Sequence, residues 1–88
     1  MQTVYTNDFV KSYKKLTGHN NKKAVDLTLK LFSQDPKHPK LRNHGLKGDK
    51  EGVRSIDVKF DLRILFYEKN NYVKVIMLKV GNHSELYG

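Results

Sequence analysis

The chain has 88 residues, no cysteine, and a formal net charge of +8 from 17 Lys and Arg against 9 Asp and Glu. That length suits a single domain over 1–88 with a small core, and the missing cysteines exclude a disulfide framework or a thiolate zinc site. MQTVYTNDFV is no signal peptide and no run reaches the ~20 apolar residues of a membrane span, so a soluble, cytoplasmic chain with a polyanionic partner and no membrane contact is expected.

Gln2 to Tyr5 reads as a short strand. Phe9, Tyr13 and Leu16 then recur at i, i+4, i+7, which predicts a helix over 7–17. Thr6 or Asn7 caps its start and Gly18 ends it. A second helix is expected from Asn20 or Asn21 to about Ser33. It carries one apolar stripe at Val25, Leu29 and Phe32 and another at Ala24, Leu27 and Leu31. A surface that wide calls for contacts on two sides: the sheet, and either the first helix or a partner. Asp35-Pro36 stops the helix, because the residue before proline is pushed out of the α region.

Pro36 to Lys50 reads as a loop with two prolines, two glycines, two histidines and five cations. Loops of that length are uncommon unless functional. Three strands follow, Val53 to Lys59, Asp61 to Glu68 and Tyr72 to Val80, with a turn at Asn70-Asn71. The last is apolar throughout Val75 to Leu78, as a central strand covered on both faces would be. Gly81 breaks it and leaves a tail from Asn82 to Gly88. The fold class is α+β, in the order β-α-α-β-β-β: an antiparallel sheet with a helical hairpin packed on one face.

Four features could carry chemistry: His44 in the basic loop, Asp57 with Asp61 at a strand end, Arg63 in DLRILFY, and His83, Glu85 and Tyr87 in the tail. Cleaving RNA without a metal requires a base for the 2′-hydroxyl and an acid for the leaving 5′-oxygen. It also requires fixed cations for the phosphoryl oxygens. Histidine titrates in the right range for the proton transfers. Arginine offers a permanently charged fork, and an aromatic can stack on an unpaired base. Each group also has a plain structural use. His44 can be an ordinary loop residue, and Asp57 and Asp61 can cap a turn or pair with lysines. Arg63 can pair with Asp61 or Glu85, and Tyr87 can cover a sheet edge. The lysines can simply keep the chain soluble. The histidines at 19, 38, 44 and 83 have no metal-ligand spacing, and no phosphate loop, dinucleotide fingerprint or nucleophile elbow occurs. No metal and no cofactor is expected.

The pieces HGLKG at 44–48, GVRS at 52–55, DLRILFY at 61–67 and GNHSELYG at 81–88 together resemble the RelE/ParE toxin superfamily, above all its YafQ-like branch. The segment Phe9 to Leu16 is similar to the family's opening helix, so the resemblance covers nearly the whole chain. It implies the toxin of a type II toxin–antitoxin system: an endoribonuclease that cuts messenger RNA, commonly in the ribosomal A site, and so inhibits translation. An acidic cognate antitoxin would hold it inactive. Residue by residue, His44 matches the branch's loop histidine, Asp61 its catalytic aspartate and His83 its tail histidine, the general acid. Arg63 matches the phosphate-binding strand arginine of the RelE branch. Tyr87 stands where the family has an aromatic and, with Lys47 and Arg54, is an expected RNA contact. Asp57 stands where the branch has a second histidine, which leaves the base open among His44, Asp57 and Asp61. The alternatives are a non-catalytic, ParE-like gyrase inhibitor, against which the tail histidine argues, and a simple nucleic-acid-binding module.

Overall fold

The computed structural model describes residues 1–48 and 50–87. The elements run β1 (Gln2–Tyr5), α1 (Asn7–Lys14), α2 (His19–Gln34), a 3-10 turn (Pro39–Leu41), β2 (His44–Gly45), β3 (Arg54–Lys59), β4 (Leu62–Lys69), β5 (Lys74–Gly81) and α3 (His83–Tyr87). They form one sheet in the order β1-β5-β4-β3-β2. The class is α+β, as the sequence implies, and β5 lies inside the sheet.

Three details depart from the sequence reading. The sheet is not wholly antiparallel, because β1 runs parallel to β5, with Gln2 opposite Lys74 and Tyr5 opposite Met77. The 36–50 segment is not all loop: it contains the 3-10 turn, and β2 pairs with β3 through His44 opposite Ser55. The tail, to which the sequence reading assigns no element, contains the helix α3.

Thr6 explains the first departure. Its side chain accepts from the Phe9 amide at 3.0 Å, capping α1, while its hydroxyl lies 3.0 Å from the Met77 carbonyl and 3.1 Å from that of Leu78. One residue therefore ends β1, starts α1 and fastens both to β5. Beyond the reach of β1, the Ser12 hydroxyl accepts from the Val80 amide at 3.0 Å, so this donor next to α1 does not go unpaired.

The helices cover one face of the sheet. Phe9, Val25 and Phe32 pack there on Ile56, Ile64, Phe66, Val75, Met77 and Val80. Phe32 meets Phe66 edge to face at 4.9 Å between ring centroids. Of the two α2 stripes, the first buries Val25 and Phe32, while of the second Leu31 packs against the core. Leu27 is 60% exposed, because α1 packs on β5 and does not cover that side of α2. On the opposite sheet face a smaller cluster joins Val53, Leu65 and Leu86, flanked by Leu46, Leu78 and Tyr87. The chain thus buries an apolar strip of this second face under α3 and leaves the polar remainder of β3 and β4 to solvent.

Candidate active site

The β3–β4 hairpin pairs Asp57 with Arg63, and β4–β5 pairs Arg63 with Gly81, so these three lie in one row across the sheet. Directly opposed residues share a face, and this face is the one turned away from α1 and α2. The row ends at α3, whose first residue is His83.

Ionic contacts bind the row into a chain. The Asp57 carboxylate sits between two guanidiniums, 3.2 Å from Arg63 Nε and 3.6 Å from Arg42 Nε. Arg63 Nη1 is 3.9 Å from Asp61 Oδ1. That same oxygen accepts from the His83 backbone amide at 3.1 Å. Asp61 holds a φ of 52°, a left-handed conformation that aspartate tolerates better than most residues. The side chains of Asp57 and Arg63 are 19% and 30% exposed, so the pair is sheltered but within reach of a ligand.

A concavity of about 750 Å³ opens over this chain, lined by Lys40, Arg42, Asp57, Val58, Lys59, Phe60, Asp61, Arg63 and His83. Four permanent cations face two carboxylates there, so the site attracts anions. Arg63 meets Asp57 through Nε and approaches Asp61 through Nη1. The His83 ring is exposed and rests near the Tyr87 ring, at 4.7 Å between centroids. Tyr87 leans on the Leu65–Leu86 cluster, and Lys50 Nζ lies 5.8 Å from its ring centroid. An imidazole, a carboxylate and a pinned guanidinium at one anion-attracting hollow can move protons and hold a phosphoryl group.

The α3 turn that presents His83 is built locally. The Asn82 amide donates to Glu85 Oε1 at 2.8 Å and the Glu85 amide to Asn82 Oδ1 at 2.9 Å, a reciprocal capping box. Glu85 is therefore spent on structure. The pattern Asn-x-x-Glu at 82–85 is the sequence signal that identifies this helix.

The other sequence candidates lie apart. His44 is exposed on β2 and its Nδ1 is 2.9 Å from the Arg42 carbonyl. A carbonyl only accepts, so Nδ1 is the donor in this contact. Register places His44 opposite Ser55, two residues along β3 from Asp57, but it does not line the hollow. Lys47 is exposed outside the hollow. Arg54 donates through Nε to Asn43 Oδ1 at 2.9 Å, and Asn43 Nδ2 donates to the Tyr72 hydroxyl and the Pro36 carbonyl, each at 2.9 Å. Arg54 is thus tied into a framework beside β2. Sequence reasoning passed over Arg42, Lys40, Lys59 and Phe60. Arg42 becomes visible only once the β2–β3 register carries it opposite Asp57. Among the described residues no three His, Asp or Glu side chains converge as a metal site, and no helix is long and apolar enough to cross a membrane.

The chain matches over residues 1–88 the family described as a bacterial toxin of type II toxin-antitoxin system, YafQ. It is similar to the crystal structure of YafQ from E. coli strain BL21(DE3), with 17% identity, a TM-score of 0.84 and coverage of 99% of this chain and 98% of that one. It is also similar to a metal-bound toxin from Helicobacter pylori, at 27% identity and a TM-score of 0.76 over 99% of each chain. The E. coli DinJ-YafQ complex matches at 22% identity and a TM-score of 0.73, covering 99% of this chain and 98% of that one. No curated protein sequence matches the chain.

Proposed function

The chain belongs to the YafQ family of type II toxin–antitoxin toxins, and from that premise we propose that it is an endoribonuclease that cuts messenger RNA at the ribosome and so inhibits translation. The observation that carries this reading is the chain of contacts Arg42–Asp57–Arg63–Asp61–His83 around one cation-rich hollow.

In this reading a phosphodiester lies in the hollow with its non-bridging oxygens on Arg63 and on Arg42. The 2′-hydroxyl attacks the adjacent phosphorus, forming the 2′-O–P bond as the P–O5′ bond breaks. Asp61 takes the 2′-hydroxyl proton, and the His83 imidazolium returns one to the departing 5′-oxygen. The products are a 2′,3′-cyclic phosphate and a 5′-hydroxyl. Asp61 is favoured as base over His44 because it lines the hollow and is bonded to the His83 backbone. Asp57 positions Arg63, and the two guanidiniums beside it neutralise its charge toward phosphate. Fixed cations aimed at the pentavalent phosphoryl group supply the main stabilisation. Tyr87 supports the His83 ring and is the proposed stacking partner for a base.

An acidic antitoxin is the proposed inhibitor, supported by the net charge of +8 and by the DinJ-YafQ relative, itself a complex. Work on messenger RNA would place the protein in the cytoplasm. Mapping RNA ends after adding the protein to translating ribosomes tests the activity. Wild type is expected to make new cuts, and His83→Ala to slow them by ~10²–10⁴-fold, the usual contribution of a positioned acid. Equal cutting by the two proteins would sink the assignment. Loss of gyrase supercoiling with no RNA cut would favour the ParE-like alternative.

A further inference from the structure

We propose that Phe60 is a stacking post for a nucleobase beside the scissile phosphate, an inference that rests on the RNA-cutting reading above. Phe60 is 98% exposed, while the next most exposed large apolar side chain among the described residues, Val73, is 62% exposed. It occupies the two-residue turn between Lys59 and Leu62, which are paired across the hairpin. Such turns favour Gly, Asn and Asp for their conformational tolerance. Asp61 meets that demand at φ 52°, whereas phenylalanine contributes nothing to the turn and, at this exposure, next to nothing to packing.

Its position accounts for it. The ring stands between two hollows and lines both: the one over Arg42, Arg63 and His83, and a second, about 340 Å³, reaching Lys15 and Asn21. A strand whose phosphate is held at Arg63 must pass this ring to reach Lys15. Every base has a π face, and stacking on an aromatic is how unpaired bases are gripped. The tip is also held in place, because Asp61 next to Phe60 accepts from the His83 amide and Leu62 on its other side is buried in the core. The post is thereby fixed relative to the proposed acid. An apolar protein contact could also use an exposed ring. The cations at Lys15, Lys59, Arg42 and Arg63 on both flanks favour a polyanion with bases to stack.

The chain has no tryptophan, so Phe60→Trp places a lone indole at the tip. Its fluorescence is titrated with a short single-stranded RNA blocked by 2′-O-methyl groups, in versions abasic at each position in turn. Quenching is expected, and one abasic position should abolish it. In parallel, Phe60→Ala should cut messenger RNA on translating ribosomes about 5- to 150-fold more slowly, the range of one lost stack. Phe60→Trp, which keeps an aromatic face, should recover most of the rate that Phe60→Ala loses, and the melting temperatures should be unchanged. The inference alone is overturned if wild type cuts RNA and Phe60→Ala cuts it equally well. It is likewise overturned if the indole responds to the acidic antitoxin and not to RNA. If wild type makes no cuts at all, the RNA reading fails and the inference goes with it.

Discussion

Asp57 shows how a carboxylate can sit in a hollow lined mostly by cations. Its charge is shared by Arg63 at 3.2 Å and Arg42 at 3.6 Å, so the local balance stays positive and Arg63 is held in one orientation. Asp57→Asn keeps the shape and removes the charge. The expected result is a fall in kcat of about 10- to 150-fold, from ~1.5–3 kcal/mol of charged hydrogen bonding, with KM and melting temperature little changed. A mere structural role would move the melting temperature instead. In the helical layer the Tyr13 hydroxyl donates to Asp26 Oδ1 at 2.9 Å, bridging α1 and α2. That bond, then slight burial and the carboxylate charge, raises the phenol above 10.0. A pKa raised on folding means stability that is present at neutral pH and lost as pH rises through the folded value. The fall in stability as pH rises through that range should therefore be shallower in Tyr13→Phe, measured by melting across it.

At the scale of the element, α3 decides where the His83 ring, the proposed acid, stands. Five residues do not make a stable helix alone. This one is held by the Asn82–Glu85 capping box, by Leu86 against Val53 and Leu65, and by close approach to β5. A Cβ on Gly81 would stand 2.9 Å from Glu85 Oε1 and 3.1 Å from its Cβ. Gly81→Ala should push α3 away, costing ~1–3 kcal/mol as overpacking does. In a domain of this size that lowers the melting temperature by about 4–8 °C per kcal/mol. RNA cutting should drop with it, because His83 moves. Unchanged melting and cutting would show that α3 tolerates displacement. The remaining helices are anchored by apolar burial, and Phe32→Ala should cost ~3–5 kcal/mol in a denaturant titration.

Across the whole molecule, the two sheet faces divide the work. One is buried under α1 and α2; the other carries α3 and a row of ionic contacts open to solvent. Four cations at the hollow imply that single-stranded RNA binding weakens with salt at a logarithmic slope of about −3, from ~0.7 per phosphate contact. Binding of the blocked RNA across a salt series measures it, and a slope near zero would contradict an electrostatic site.

What could be read from residue order alone was local. Periodicity located both long helices and the three long strands, Thr6 announced its cap, and the chemical types of Asp61, Arg63 and His83 marked them for attention before any geometry. The parallel β1–β5 pairing, the Arg42–Asp57 contact, the His83–Asp61 bond and the position of His44 outside the hollow were decided by tertiary structure. Local preferences act over a few residues, whereas strand register and sheet face join residues 15 and 22 places apart here, Arg42 to Asp57 and Asp61 to His83. Those distant pairings, set by packing of the whole core, convert a collection of suitable side chains into one site.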